Sequence, residues 1–298
     1  MSSTYPTLFG CEAGGGGRVV IAGVPYDRGT DPHRAGCAAA PNTLRRLSSP
    51  EQTRMRRGGL YDFARRECIV DGALVSDLGD LPFRVGQNDD AYLALVTSAA
   101  RVIALEAKKP LFLGGDHLIT LSALRGLAQA GHKLQVVQLD AHHDYEPIET
   151  GESPTHATFV AHVMAEGLAT QVLQIGVRGL GSGEPPAPAG VTTIQLAELP
   201  SALEPGVGVY VTVDTDAFDP TVACAVGYPE PAGLPLAALG QVLASIRDAG
   251  LDLVGADWTE FNPRFDTANG LTGRVVLTGL GWLMQCLVGT RTTALQRD

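Results

Sequence analysis

The sequence predicts an α/β fold: a mostly parallel sheet covered by helices on both faces. Short, continuously apolar and β-branched segments recur along the chain, as in strands buried on both sides; they are 18–24, 110–113, 134–140, 171–177, 191–196, 207–214 and 252–258. Helical patterns alternate with them, over 89–108, 120–130, 158–168 and 236–249. Strand–helix alternation of this kind is typical of parallel sheets with crossover helices.

The individual elements follow from local patterns. In 89–108, four apolar residues form one helical stripe: Leu93, Val96, Ala100 and Ile103. The Gly- and Pro-rich segment 179–190 is interpreted as a loop, because strands continue on both sides of it. The apolar segment 275–290 is too short and too interrupted by glycine for a membrane span, so we expect a buried C-terminal helix.

Composition sets the class of protein. The chain has 298 residues, of which 45% are hydrophobic and 18% charged, which is typical of a globular protein. No charge run or composition shift divides it, so we expect one domain over 1–298, with a flexible lead-in over 1–17. The net charge of −10 argues against nucleic acid as the main partner.

The cysteines and the N-terminal residues indicate a cellular compartment. Five widely spaced cysteines without a C-x-x-C pair fit reduced cytosolic thiols better than a disulfide framework. The first residues contain neither a basic nor an apolar signal region. We therefore expect a cytoplasmic protein without a membrane partner.

Polar side chains follow the predicted strands, at the edge where open α/β sheets bind ligands. After 110–113, two glycines form a turn that leads to Asp116 and His117. Asp116 fits a helix N-cap, which would leave His117 incidental. After 134–140, the sequence DAHHD places Asp140, His142 and Asp144 on one side of an extended segment, although a solvated charge cluster would read the same way.

The third group of polar side chains is an acidic pair at the end of the segment 207–214. Asp214 and Asp216 again alternate, and two unpaired acids at a buried strand end are costly. Asp219 before Pro220 is explained by a turn. The three segments supply six candidate metal ligands: His117, Asp140, His142, Asp144, Asp214 and Asp216.

This ligand set favours a binuclear metal centre. It has too many carboxylates for a tetrahedral structural zinc. It suits two divalent ions about 3.5–4 Å apart that share carboxylates and activate water. Mixed ligands rich in oxygen favour Mn²⁺, while Ni²⁺, Co²⁺, Fe²⁺ and Zn²⁺ stay open.

The motifs G-G-D-H, D-A-H-x-D and D-x-D-x-x-D-P, in this order, resemble the ureohydrolase family of arginases and agmatinases. The segment 23–36 and the D-x-x-E-x-N-P pattern of 257–263 extend the resemblance over nearly the whole chain. It implies a three-layer α/β/α fold with an eight-stranded, mostly parallel sheet, two Mn²⁺ ions held by the six ligands above, and hydrolysis of a guanidino group to urea and an amine. It also implies a trimer or hexamer, with a hetero-oligomer as an alternative.

Three residues receive catalytic roles. By the resemblance, His156 is a proton shuttle and Glu260 holds the substrate guanidinium. Chemistry agrees, because the leaving amine needs a proton and the cation needs a carboxylate to orient it. Asp144 would orient the nucleophile while it binds metal. A loop histidine and a strand-end acid are the structural alternatives for His156 and Glu260.

Departures from the family pattern concern the substrate. Residues 223–229 read ACAVGYP in place of the usual P-G-T-G-T-P-like loop, so Val226 and Tyr228 would make the pocket more apolar. The arginase Asn after D-A-H-x-D is missing, and Glu146 and Glu149 stand nearby. If these glutamates face the pocket rather than solvent, they repel a carboxylate and attract an amine. We expect agmatine first, short or alkylated guanidines second, guanidino acids third, and L-arginine as a poor substrate.

Two other functions fit parts of the sequence. The altered loop allows a non-catalytic helper subunit that pairs with an active homologue, although such a subunit would not need the whole ligand set. The ligands alone would also suit a two-metal phosphoesterase, but no Arg/Lys cluster near the motifs would clamp a phosphate.

Overall fold

A computed structural model describes residues 6–49, 60–70, 72–84, 86–148, 151–180, 183 and 185–289. Eleven strands lie in these ranges: β1 (Glu12–Ala13), β2 (Val19–Gly23), β3 (Leu60–Asp62), β4 (Glu67–Val70), β5 (Val75–Asp80), β6 (Lys109–Leu113), β7 (Leu134–Leu139), β8 (Val172–Ile175), β9 (Val191–Thr193), β10 (Gly208–Asp214) and β11 (Leu253–Thr259). Seven α-helices accompany them: α1 (Ala40–Leu47), α2 (Asp89–Leu105), α3 (Ile119–Gln129), α4 (Phe159–Ala165), α5 (Leu199–Ala202), α6 (Ala237–Asp248) and α7 (Leu271–Val288).

Nine strands form one sheet in the order β1-β5-β2-β6-β11-β10-β7-β8-β9. Every neighbouring pair in this sheet is parallel. β3 and β4 form a separate antiparallel hairpin. The predicted parallel sheet is confirmed, with nine strands rather than eight; the two-residue β1 lies at its edge.

Helices cover both faces of the sheet, which confirms the three-layer architecture. Helices α1, α5, α6 and α7 bury apolar side chains in one core, and α2, α3 and α4 do so in the other. Alternate residues of a strand belong to opposite cores: in β10, Val211 lies in the first and Tyr210 in the second. The continuous apolar pattern of the strands therefore reflects burial on both faces.

Helix α7 is the predicted C-terminal helix. It is long and apolar enough to span a membrane by length and composition, with a mean hydropathy of 1.4, but 61% of it is buried inside the protein. Leu280 and Leu283 are fully buried in the core, and burial of one such side chain contributes about 1.5–3 kcal/mol. This is the environment of a core helix.

The polar strand β5 and helix α1 were not predicted. β5 reads VSDLGD and has no apolar run, so its pattern does not predict a strand. A buried ion pair compensates its charge: Arg45 Nε and Nη2 of α1 donate to Asp77 Oδ2 and Oδ1 at 2.8 and 2.9 Å. Asp77 also accepts the backbone N–H of Leu8 at 2.8 Å.

The expected flexible lead-in over 1–17 stays a prediction; residues 1–5 lie outside the described part, and residues 6–17 include a buried segment and a short strand. Leu8 and Phe9 are buried in the core, and β1 pairs with β5. Leu8 and Phe9 belong to the same apolar core as Leu44 of α1. The glycine run over 14–17 gives no indication of this packing. The single-domain boundary 1–298 stays a prediction.

Candidate metal centre and active site

The topology brings the predicted ligands together. β6, β11, β10 and β7 are adjacent in the sheet and parallel, so their carboxyl ends meet at one edge. His117 follows β6, and Glu260 follows β11. Asp140 follows β7, and Asp214 ends β10. Polar residues distant in sequence thus converge where an α/β sheet binds its ligands.

The glycine pair before His117 is needed for space. Neither Gly114 nor Gly115 has a positive φ, so the expected glycine-dependent turn is not what requires them. A Cβ on Gly115 would lie 1.6 Å from the carbonyl oxygen of Tyr26, and one on Gly114 would lie 2.5 Å from that of Trp258. The chain passes between two neighbouring segments too closely for any side chain.

A first group of possible metal ligands contains His117, Asp140 and Asp214, whose ligand atoms all lie within 4.8 Å of one another. His117 Nδ1 lies 2.9 Å from Asp140 Oδ2 and 3.2 Å from Asp214 Oδ2. Yet this buried nitrogen makes no hydrogen bond of acceptable geometry. His117 Nδ1 and the two carboxylate oxygens therefore converge on one point without hydrogen-bonding to each other. This arrangement fits ligands around a cation.

A second group contains Asp140, His142 and Asp216. His142 Nδ1 lies 3.0 Å from Asp216 Oδ2 and 3.7 Å from Asp140 Oδ1. The two groups share Asp140, so its carboxylate would serve both groups if each held an ion. The pairing matches a binuclear site in which carboxylates are shared.

Asp144 completes the predicted set beside the first group. Its Oδ2 lies 3.2 Å from His117 Nδ1 and accepts a 3.4 Å hydrogen bond from Gln138 Nε2. Its φ of 52° is in the left-handed region, which costs a non-glycine residue about 1–3 kcal/mol. Glu260 has the same kind of backbone, with φ 59°. Strained backbone of this kind is concentrated at functional sites.

The electrostatics of the cluster call for added positive charge. Burial, followed by repulsion from neighbouring carboxylates, raises the pKa of Asp144 and of Asp214 well above the usual range. Burial alone would lower the pKa of His117, but the surrounding carboxylates raise it far above its ordinary value. Four crowded carboxylates in a low-dielectric setting are stabilised by divalent cations. The donor set therefore fits two divalent ions.

A buried hydrogen-bond chain orients His117 and was not found from the sequence. His117 Nε2 lies 2.7 Å from Thr212 Oγ1, which donates to Asp257 Oδ1 at 2.6 Å. Asp257 Oδ2 also accepts from Thr120 Oγ1 at 2.8 Å and from Tyr210 OH at 2.7 Å. This leaves Nδ1 as the ligand nitrogen, an arrangement typical of metal-bound histidine. The sequence signalled Asp257 in two ways, as an acid within a buried strand and as the first residue of the D-x-x-E-x-N-P pattern, but neither showed its link to His117.

Glu260 lies against the same edge of the sheet and is 7% exposed. Its Oε1 accepts the His117 backbone N–H at 2.9 Å, and its Oε2 accepts the Cys37 thiol at 3.4 Å. Burial raises the pKa of Glu260 to about 7. A cation placed against the carboxylate would favour its ionised form.

His156 lines the cavity opposite these ligands. Its Nδ1 is hydrogen-bonded to the carbonyl oxygen of Gly29. Because a carbonyl only accepts, Nδ1 carries the proton, and Nε2 is the nitrogen left to exchange one. This is the arrangement that a proton shuttle requires.

Asp116 does not cap the helix, because α3 begins at Ile119 and its N-cap residue is Leu118. The Oδ1 atom of Asp116 accepts the Leu118 N–H at 3.2 Å, in the turn that precedes the helix. Its Oδ2 accepts the Gly29 N–H at 2.7 Å. Gly29 therefore links a buried carboxylate to the ring of His156. By contrast, the turn interpretation of Asp219 agrees with its bonds to Thr221 N and Oγ1 at 3.0 and 2.6 Å.

The altered 223–229 segment contributes one wall of the site. Tyr228 lines the cavity, and its ring centroid lies 5.9 Å from that of His156. Val226 is 3% exposed and packs away from the cavity, so the expectation that it makes the pocket more apolar is wrong. Trp258 is a core aromatic, stacked on Phe218.

The cavity above the ligands has a volume of about 890 Å³. Its rim carries Glu146, 54% exposed, with Oε1 3.5 Å from His143 Nε2. Glu149 lies outside the described residues. Among the described lining residues, Arg178 is the sole arginine or lysine. All five of its N–H groups donate to backbone carbonyls: Gly176, Asp216, Ala217, Glu230 and Pro231.

The comparisons with known proteins point to one family. Residues 17–280 match the model of the Arginase family. A guanidinopropionase of Pseudomonas aeruginosa is 33% identical over 87% of this chain and 84% of its own. An agmatinase of Photorhabdus laumondii is 34% identical over 83% of this chain and 80% of its own. The match to Arginase 1 of Arabidopsis thaliana, 32% identical, covers 70% of this chain and 65% of that protein.

Solved structures give the same result. Proclavaminate amidino hydrolase from Streptomyces clavuligerus superposes with a TM-score of 0.76 and 27% identity, over 97% of this chain and 99% of its own. The fold and the strand-end side chains define an α/β protein fit to hold divalent metal. The chain belongs to the Arginase family, as its motifs predicted.

Proposed function

We propose that the protein is a binuclear-metal hydrolase that cleaves a guanidino group to urea and an amine. One observation carries this proposal: the two ligand groups that share Asp140 open into the same cavity as Glu260 and His156. A metal-storage or structural site would not need a buried acid and an exchangeable histidine nitrogen facing the ions. The relatives named as agmatinase and guanidinopropionase support the reaction class.

The metal ligands we propose are His117, Asp140, His142, Asp144, Asp214 and Asp216. Mn²⁺ fits this oxygen-rich set first and Ni²⁺ second. When bound, two such ions activate water as a nucleophile near neutral pH. Asp144, whose φ of 52° lies in the left-handed region, would orient that nucleophile.

The protein side chains supply the remaining steps. Glu260 has a lone pair left on each oxygen after its contacts with His117 and Cys37, and it holds the planar guanidinium. Water adds to the guanidinium carbon and gives up one proton to the bare Nε2 of His156. Nε2 passes this proton to the substituted nitrogen, whose bond to the carbon breaks. The amine then takes the remaining hydroxyl proton and leaves as an ammonium group, with urea as the other product.

The cavity favours a substrate with a cationic tail. A substrate carboxylate would need a donor, but the N–H groups of Arg178 are all engaged with carbonyls. Glu146 adds negative charge at the rim. An unpaired buried carboxylate costs a few kcal/mol. We therefore rank agmatine first, short or alkylated guanidines second and guanidino acids third, with L-arginine poor.

Urea release tests the proposal. Protein loaded with Mn²⁺ or Ni²⁺ is assayed for kcat/KM on agmatine, dimethylguanidine, 4-guanidinobutyrate and arginine. Glu146→Gln should narrow the preference for agmatine over 4-guanidinobutyrate. Glu12→Gln, an exposed acid on the edge strand β1, is the matched control. An arginine value above the other three would refute the charge argument.

The altered 223–229 segment favours one alternative, a helper subunit that binds metal without turnover. Against this alternative, the ring of Tyr228 stacks on His156 in the cavity, and an active subunit would need His156 there. Loaded protein that releases no urea from any compound alone, but raises the activity of a co-expressed homologue, would establish the alternative. We further propose a cytoplasmic homo-oligomer; the compartment is supported by the five cysteines, all within the described residues, none of which forms a disulfide.

A further inference from the structure

The ring of Tyr228 contacts side chains from separate segments. It stacks on His156, with the centroids 5.9 Å apart and the planes 27° from parallel. The guanidinium carbon of Arg34 lies over the ring, 4.2 Å from its centroid. His142 meets the same ring at a steep angle, 81°, with centroids 6.1 Å apart.

His156 needs this support. It lies in a loop just before α4, and its Nδ1 is fixed by the Gly29 carbonyl. One hydrogen bond fixes one atom of the ring and leaves rotation about that contact. An aromatic neighbour that stacks on the ring fixes its plane. The two contacts together determine where Nε2 points.

Tyr228 is itself held firmly. Arg34, besides covering the ring, donates through Nη1 to the carbonyl oxygen of Gly227. Asn262 joins both segments: its Nδ2 donates to the Arg34 carbonyl at 2.8 Å, and its N–H donates to the Ala225 carbonyl at 2.8 Å. Asn262 is fully buried. The segment that departs most from the family pattern is therefore anchored rather than loose.

We infer that Tyr228 is a positioning residue that fixes the ring plane of His156, so that Nε2 faces the reacting nitrogen. The inference rests on the proposed function and adds to it a residue outside the family motifs. The side chain works through its ring, because the stacking contact and the Arg34 contact both involve the ring face. The hydroxyl is not needed for either contact.

The test compares Tyr228→Phe, which keeps the ring, with Tyr228→Leu, which removes it. Tyr228→Leu should lower kcat about 10- to 100-fold, as expected when a reacting group is misplaced, with KM and bound metal within twofold to threefold of wild type. Tyr228→Phe should stay within about threefold of the wild-type kcat. Tyr61→Leu, an exposed aromatic on the β3–β4 hairpin, is the control.

A double-mutant cycle isolates the path through His156. In a His156→Ala background, Tyr228→Leu should have no further effect on kcat. An equal loss in both backgrounds, or a change confined to KM, would overturn the inference. So would a Tyr228→Leu variant with wild-type kcat.

A second measurement does not depend on turnover. In ¹H–¹⁵N spectra of the imidazoles, His156 should show the Nδ1–H tautomer in all three proteins, because Gly29 fixes it. Its Nε2 and ring C–H signals should be sharp in wild type and Tyr228→Phe and broadened by ring motion in Tyr228→Leu. Unchanged His156 signals in Tyr228→Leu refute the positioning role. A wild-type protein that releases no urea refutes the proposed function instead, while the spectra still decide the role of Tyr228.

Discussion

Thr212→Val should weaken metal binding without touching a metal ligand. Thr212 Oγ1 stands between His117 Nε2, at 2.7 Å, and Asp257 Oδ1, at 2.6 Å. Valine keeps the shape of the side chain and removes the hydroxyl. His117 then loses the acceptor that fixes its ring, and Asp257 loses one donor while it keeps Thr120 and Tyr210.

The magnitude follows from these contacts. A buried polar group left without a partner costs about 1–3 kcal/mol. In Thr212→Val, the Nε2–H group of His117 has lost its partner. Loss of the group that orients a ligand histidine typically costs 10- to 100-fold in metal affinity. That range corresponds to about 1.4–2.7 kcal/mol. The two estimates agree, because both measure the orientation of one imidazole.

Titration calorimetry with Mn²⁺ measures the effect on metal-free protein. Thr212→Val should raise Kd by 10- to 100-fold, and the gain in Tm on adding Mn²⁺ should shrink relative to wild type. Thr192→Val, an exposed threonine on β9, provides the matched control for a lost hydroxyl. A wild-type Kd in Thr212→Val would refute the chain from Asp257 to His117.

Three further outcomes are expected. Glu260→Gln should abolish urea release with metal content nearly unchanged, because Glu260 holds substrate rather than metal; wild-type kcat/KM would contradict this. His156→Ala should slow turnover about 10²–10⁴-fold, as for a positioned acid–base group, and an unchanged rate would assign it a structural role. Burial opposes ionisation of Asp62, but hydrogen bonds from Arg65 N–H and Trp282 Nε1–H prevail and lower its pKa. The stability that Asp62 contributes is therefore present above its ordinary pKa and is lost as pH falls through the lowered pKa. In urea unfolding between about pH 5 and about pH 2, Asp62→Asn should lose less stability than wild type. An equal dependence of unfolding free energy on pH in both proteins would disprove this role.

The central strands and the ligand cluster could be predicted because both obey simple periodicities. Strands buried on two faces are continuous apolar runs, and acids that alternate at their ends share one side. His117 could be joined to Asp140 and Asp214 only because parallel strands expose their carboxyl ends at one edge. Sequence periodicity predicts which residues face together within a segment, and the sheet order brings the segments together.

The remaining features depend on contacts between distant segments, which no local pattern contains. β5 is polar and needs Arg45, 32 residues away, to be buried. The tether from Asp116 through Gly29 to His156 joins three separate segments. Val226 was expected in the pocket, but the turn that presents Tyr228 to the cavity buries Val226. In a strand, residues two apart face the same side, but this rule does not hold in a loop such as the one that contains Val226 and Tyr228.

The site divides into a rigid part and an adaptable part, and the division explains why the metal ligands were easier to predict than the substrate. The ligands stand at strand ends, where pairing with neighbours fixes the backbone on both sides. Glu146, the group that would face a substrate tail, lies in a loop and is half exposed. Arg178 joins the two parts, since it donates to the carbonyl oxygens of the proposed ligand Asp216 and of the loop residue Glu230. Substitutions in the loops that contain Glu146 and Glu230 should therefore change substrate preference while leaving metal content intact.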